Sequence, residues 1–151
     1  MDAPKDWFWE GNVVETLAHY LSNEGWAILS QADTYSKQQG VDIHARLKNV
    51  TLLVEVKGYP SDRYRDPRRA NEQKRTNPTL QAQHWYSQAL LKALRLQGAH
   101  PEAQVALALP DFPRYQSLIA ETRGGLEKLG VVIFTVQECG KVQVWGIDQH
   151  M

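Results

Sequence analysis

The sequence GVDIHARL (residues 40–47), followed closely by TLLVEVKG (residues 51–58), decides the fold. Apolar and polar residues alternate in the first run, whereas the second is mostly apolar, which is typical of a strand covered on both faces. Both runs nevertheless carry charged side chains, among them Asp42, Glu55 and Lys57. A charged group is costly to remove from water unless it is paired or binds a metal. Three of them on a predicted hairpin therefore indicate a chemical function.

Length and composition indicate an ordinary soluble globular protein. The chain has 151 residues, 42% hydrophobic and 23% charged, with no net charge, which predicts a single domain over residues 1–151. No apolar run approaches the roughly 20 residues needed to cross a bilayer, so we expect no membrane association. The start of the chain lacks the features of a signal peptide, and the single cysteine suits a reducing compartment. We therefore expect a cytoplasmic protein.

The spacing of apolar residues predicts an α/β protein with a mixed central sheet flanked by helices. The expected order is a core of α-β-β-β-α-β followed by a C-terminal extension of α-β-β. The predicted helices cover residues 10–23, 79–97 and 113–129, the last of them broken at Gly124–Gly125. The predicted strands cover residues 26–32, 41–47, 51–56, 105–109, 131–136 and 142–147.

Two polar residues occupy unexpected positions on the predicted helices. Glu10 falls on the apolar side of the first helix, in line with Val14 and Leu17. The alternative for Glu10 is a carboxylate favoured by the helix dipole in the first turn. Gln81 falls one turn before Trp85, at the edge of the apolar face of the second long helix, and can point toward whatever that helix packs on.

The hairpin predicts a site for a hard divalent cation if Asp42 and Glu55 meet at the end of the sheet. Mg²⁺ fits such a site because it takes oxygen ligands and needs only one or two carboxylates, and we expect Mn²⁺ to substitute for it. The carbonyl of Val56 is a further candidate ligand. Lys57 lies on the same face as Glu55 and would orient a water molecule or stabilise developing negative charge. The alternative is a cross-strand salt bridge on a solvent-facing surface, contributing about 0–1 kcal/mol.

A long basic loop is predicted between the hairpin and the second long helix. It has no apolar periodicity, and loops of this length in compact domains are usually functional or disordered. Its basic residues are candidates for contacts with a nucleic-acid backbone: Arg63, Arg65, Arg68, Arg69, Lys74 and Arg75. His84, on the following helix, is a further candidate for contact with phosphate. The alternatives are a solvated charged loop and a histidine on a polar helix face.

The motifs GVD (residues 40–42) and EVK (residues 55–57) resemble the core of the PD-(D/E)XK nuclease superfamily, which includes restriction endonucleases, Holliday-junction resolvases and RecB-type nucleases. The resemblance covers residues 10–109, about two thirds of the chain, and implies a restriction endonuclease-like core. Val41 replaces the proline that is common in the superfamily, which leaves the carboxylate in place. We assign no role to residues 110–151.

Two further comparisons extend the resemblance. Gln81 and Trp85 are similar to the Gln-x-x-x-Tyr motif of RecB-type nucleases, although an indole cannot offer the hydroxyl of tyrosine. The sequences WEGNV, VEVKGYPS and KRTNPTLQAQHW are similar to those of an uncharacterised bacterial group of nuclease-like proteins.

The resemblance implies a metal-dependent nuclease that hydrolyses phosphodiester bonds of DNA, with RNA left open as a substrate. Glu10, Asp42 and Glu55 would then be metal ligands, directly or through water, with Lys57 as the catalytic lysine and Gln81 supporting the site. Cutting both strands of a duplex would suit a homodimer. The alternative function is a nucleic-acid-binding or assembly module that keeps the nuclease-like fold without catalysis.

Overall fold

The computed structural model describes residues 6–32, 40–61 and 77–146, which form three helices and six strands. The helices are α1 (Glu10–Asn23), α2 (Pro78–Ala99) and α3 (Pro113–Leu129). The strands are β1 (Ala27–Gln31), β2 (Ile43–Leu47), β3 (Val50–Val56), β4 (Gln104–Pro110), β5 (Val132–Val136) and β6 (Val142–Trp145). The predicted order, an α-β-β-β-α-β core with an α-β-β extension, is confirmed.

The strands form one mixed sheet in the order β1-β2-β3-β4-β5-β6. The first three strands run antiparallel to one another, β3, β4 and β5 run parallel, and β6 returns antiparallel to β5. Antiparallel neighbours need only short turns, whereas each parallel step requires a crossover, here supplied by α2 and α3. Helix α1 packs on the other face, so the central strands β3 and β4 lie between helices on both faces.

The two faces of the sheet carry separate apolar cores. Helix α1 packs on one face through Val13, Val14 and Leu17, against alternate residues of the central strands such as Val54. Helices α2 and α3 cover the opposite face, where small side chains on α2, such as Ala89, allow close packing on β4. Because side chains alternate along a strand, Glu55 points away from the α1 face and toward the α2 face.

Helix α3 is continuous from Pro113 to Leu129, so the predicted break at Gly124–Gly125 is wrong. Its buried residues Tyr115, Ile119 and Leu126 keep helical spacing on both sides of the two glycines. Packing of that apolar face outweighs the unfavourable helix propensity of glycine, about 1 kcal/mol per residue. The helix ends instead at Gly130, whose φ of 71° is the left-handed conformation typical of a helix C-terminus.

None of the helices in residues 6–32, 40–61 and 77–146 combines the length and apolar character that a membrane crossing requires.

Candidate functional site

The carboxylates of Asp42 and Glu55 lie side by side at one end of the sheet. Strands β2 and β3 pair with Ile43 opposite Val54, so the next pair outward places Asp42 opposite Glu55. The Asp42 carboxylate also accepts a hydrogen bond from the backbone N–H of Val56, with Oδ2 at 2.8 Å from the nitrogen. This bond fixes Asp42 against the end of β3. The meeting of these two side chains, predicted from the hairpin, is confirmed.

Glu55 is buried, with only 5% of its surface exposed, so the alternative prediction of a salt bridge on a solvent-facing surface is wrong. Burial raises the pKa of Glu55 to about 8, and the charge and hydrogen bonding of Asp42 act in the same direction. The ammonium of Lys92 acts in the opposite direction. A buried carboxylate next to another carboxylate binds a proton or a cation readily, because either one relieves the repulsion between them.

Lys92 on helix α2 is a partner of Glu55 that the sequence did not predict. Its Nζ lies 3.2 Å from Oε1 of Glu55, an ion pair, and donates a hydrogen bond of 2.8 Å to the backbone carbonyl of Gly40. Oε1 of Glu55 is buried and, within the described residues, accepts no hydrogen bond of good geometry. Lys92 therefore joins α2 to β3 and to the segment that precedes β2, with its ammonium beside the carboxylate of Glu55.

Glu10 approaches the same end of the sheet from the start of α1. Burial raises the pKa of Glu10, and the charge of Asp42 raises it further, while Lys57 and Lys92 lower it. Three carboxylates and two ammonium groups thus influence one another across elements that are distant in sequence. The prediction that Glu10 points inward agrees with this, because its side chain is partly buried and the charge of Asp42 raises its pKa.

Gly58 allows the start of α1 to lie directly against the end of β3. A Cβ atom at this position would stand 2.6 Å from the carbonyl oxygen of Phe8 and 2.7 Å from the backbone nitrogen of Glu10. The carbonyl of Gly58 accepts a hydrogen bond of 2.7 Å from the hydroxyl of Tyr115 on α3. The glycine that follows the EVK motif therefore positions Glu10 next to Lys57.

We expect Gly58→Ala to lower the free energy of unfolding by about 1–3 kcal/mol, because the added methyl group meets backbone atoms that cannot move aside without shifting α1. Urea denaturation followed by circular dichroism measures this change. Gly98→Ala in α2 is the matched control, since its Cβ would meet no atom within 4 Å. That control should be neutral or slightly stabilising. Equal effects of the two variants would contradict the account of Gly58.

Lys57 and Val56 complete the end of β3. The backbone N–H of Lys57 donates a hydrogen bond of 3.0 Å to the carbonyl of Ala108, which continues the pairing with β4 beyond Val56. This bond holds the backbone that carries Lys57 in place, and the Lys57 side chain is partly buried. Lys57 therefore follows β3 directly with its backbone bonded to β4, and its charge is close enough to lower the pKa of Glu10.

The chemistry of this group suits a hard divalent cation bound by two carboxylates. In the part of the chain that the structure describes, no group of three or more His, Cys, Asp or Glu side chains is arranged to hold a metal ion. Glu10 is thus not joined with Asp42 and Glu55 in a direct three-carboxylate cluster, and contact through water remains its predicted role. Two carboxylates are sufficient for Mg²⁺, which keeps several waters. Oε1 of Glu55 lies 3.2 Å from the ammonium of Lys92, so this oxygen already faces a positive charge.

Gln81 and Lys92 lie on the same side of helix α2, but at different heights along its axis. They are eleven residues apart, so their Cα atoms differ by about 16 Å along the helix axis. The carbonyl oxygen of the Gln81 side chain is buried and has no hydrogen-bond partner among residues 6–32, 40–61 and 77–146. His84 is exposed on the same helix. The supporting role of Gln81 and the phosphate contact of His84 stay predictions.

The predicted nucleic-acid contacts of the basic loop fall outside the described residues. They are Arg63, Arg65, Arg68, Arg69, Lys74 and Arg75. The described residues resume at Asn77, whose side chain caps α2 by accepting a hydrogen bond of 2.8 Å from the backbone N–H of Thr79.

Comparison with known proteins supports the fold. The sequence matches no family model and no curated protein. A solved structure of an XisH family protein from Nostoc punctiforme is similar, with a TM-score of 0.53 over 93% of this chain and 98% of that one. The two sequences are 19% identical. At that identity the likeness shows a shared mixed α/β fold alone.

Proposed function

We propose that this protein is a divalent-metal-dependent nuclease of the PD-(D/E)XK type that hydrolyses phosphodiester bonds in DNA. The observation that carries the proposal is the side-by-side placement of Asp42 and Glu55 at the end of the central strands, with Glu55 buried. A purely structural role gives little reason to place two carboxylates together, because each raises the cost of ionising the other.

The residues at the end of the sheet would divide the chemistry among them. Asp42 and Glu55 would hold Mg²⁺ or Mn²⁺, with the carbonyl of Val56 as a third oxygen. When bound, such an ion would neutralise the scissile phosphate and acidify an attacking water molecule. Lys57 would hold that water in line with the phosphorus atom or stabilise the charge that develops on the phosphate. Glu10 would contact the site through water.

The substrate would be bound by groups around this site. The basic residues between Ser61 and Asn77, with His84, would contact phosphates and give affinity that is independent of sequence and weakens with salt. DNA is the proposed substrate, RNA is the alternative, and a homodimer would allow both strands of a duplex to be cut.

A second candidate function is favoured by the ion pair between Lys92 and Glu55. A lysine that permanently neutralises the carboxylates would suit a nucleic-acid-binding or assembly module with no catalysis. The two functions differ in whether a divalent ion reaches the pair.

The experiment that tests the proposal is a cleavage assay with the purified chain on single-stranded DNA, duplex DNA, branched DNA and RNA. We expect cleavage of at least one DNA substrate with Mg²⁺ or Mn²⁺ and none with excess EDTA. Lys57→Ala should abolish cleavage while leaving DNA binding largely intact, and Lys128→Ala, an exposed lysine at the end of α3, should not change it. DNA binding without cleavage of any substrate would favour the non-catalytic module.

A further inference from the structure

The ammonium of Lys92 occupies the position that a bound cation would need. It lies 3.2 Å from Oε1 of Glu55, and this glutamate sits beside Asp42. The Lys92 side chain is 40% exposed, whereas that of Glu55 is 7% exposed. The positive charge therefore approaches the buried carboxylates from the solvent side.

The contacts of Lys92 distinguish it from an ordinary surface lysine. Its Nζ also donates a hydrogen bond of 2.8 Å to the carbonyl of Gly40, two residues before Asp42. One ammonium thus contacts both chain segments that supply the carboxylates. Lysine is suited to a reversible contact of this kind, because its charge is carried on a flexible stem and is readily hydrated when it swings outward.

We propose that Lys92 is the resident counter-cation of the Asp42–Glu55 pair, and that a divalent ion binds there in competition with its ammonium. This inference rests on the proposed metal site and concerns what sets its affinity. In the ion-free protein Lys92 would keep the two carboxylates together. When a divalent ion binds, the ammonium would move away from Oε1 of Glu55 into solvent. The Lys92 side chain is already partly exposed, so this movement needs no rearrangement of the core.

Electrostatics gives the direction of the effect. An ammonium within a few ångströms of a divalent ion repels it, and the repulsion is twice that between two single charges. Removing the charge of Lys92 also helps a proton to bind Glu55. A proton carries half the charge of a divalent ion, so its binding free energy improves by about half as much. The ion should therefore bind more tightly after the lysine is neutralised, even where protons compete.

The test is isothermal titration calorimetry of Mn²⁺ into the full chain at low ionic strength. Lys92→Gln should tighten Mn²⁺ binding roughly tenfold relative to the unchanged protein. Lys92→Met, which keeps the apolar stem, should do the same and guards against a folding defect of the first variant. Lys92→Arg keeps the charge and should stay within about threefold.

Lys128→Gln is the matched control, since it removes one exposed positive charge at the opposite end of the sheet, where α3 leads into β5. It should leave Mn²⁺ affinity unchanged. Unchanged or weaker binding in both Lys92→Gln and Lys92→Met would overturn the role of Lys92 while leaving the metal site standing. Absence of Mn²⁺ binding in every variant would overturn this inference and the proposed metal site together.

Discussion

Replacing Glu55 by Gln is expected to lower metal-dependent cleavage by at least about a hundredfold. The change removes one of the two carboxylates that would hold the ion, while the amide keeps nearly the same shape. Loss of a group that stabilises the charge of the reaction typically costs two to three orders of magnitude in rate. Initial rates at saturating Mn²⁺, on whichever substrate the wild-type chain cleaves, measure the effect.

The matched control for this variant is Glu15→Gln, which changes an exposed glutamate on helix α1. It makes the same chemical substitution away from the site and should retain the full rate. DNA binding by Glu55→Gln should remain close to that of the unchanged protein, because phosphate contacts supply most of the affinity. A Glu55→Gln variant that cleaves within tenfold of the wild-type rate would contradict the assigned role.

The second large effect expected is a loss of stability as the pH rises in the absence of divalent ions. Burial and the neighbouring Asp42 raise the pKa of Glu55 in the folded protein to about 8, well above its ordinary value of 4.5. Between these values the folded chain holds a proton that the unfolded chain has released, so the free energy of unfolding falls with rising pH. Over the whole window the loss attributable to Glu55 is about 2–4 kcal/mol.

Urea denaturation with EDTA at pH 5.5, 7 and 8.5 measures this loss. Glu55→Gln carries no titrating group at this position, so its stability should decline much less, and at pH 8.5 it should exceed that of the wild type. Glu10 also has a raised pKa and contributes a decline of the same sign in both proteins. Adding Mn²⁺ at pH 8.5 should restore stability to the wild type by mass action. Equal pH profiles for the two proteins would contradict the raised pKa of Glu55.

The sequence predicted the fold well because apolar periodicity marks elements that bury one face. Helix α1 has its predicted bounds, and the strands differ from prediction by one or two residues at their ends. The prediction failed at Gly124–Gly125, where local propensity indicated a break and the buried residues of α3 overrode it. Side-chain burial in the folded chain depends on contacts that a local pattern does not contain.

The candidate site was predictable where the hairpin alone determined it. Antiparallel pairing with a short turn fixes which residues face each other, so the meeting of Asp42 and Glu55 followed from the register. Lys92 was not predictable in this way, because its place depends on how far α2 is rotated and shifted relative to the sheet. One signal was present: Lys92 follows Gln81 by eleven residues, three helical turns, and so lies on the side already predicted to face the site.

Gly58 was equally difficult to assign from the sequence. A glycine after a strand usually indicates a turn, whereas here it permits close contact between the backbones of β3 and α1.

The predicted contacts of the basic loop remain predictions that binding assays with charge-neutralising variants can test.

The most direct test of the metal site is anomalous diffraction from crystals of the protein grown or soaked with Mn²⁺. We predict a single strong anomalous peak within about 2.0–2.3 Å of one carboxylate oxygen from each of Asp42 and Glu55, with the Lys92 ammonium moved away from Oε1 of Glu55. An electron-density map at saturating Mn²⁺ with no peak between these carboxylates, and with the ion pair of Lys92 and Glu55 intact, would contradict the account.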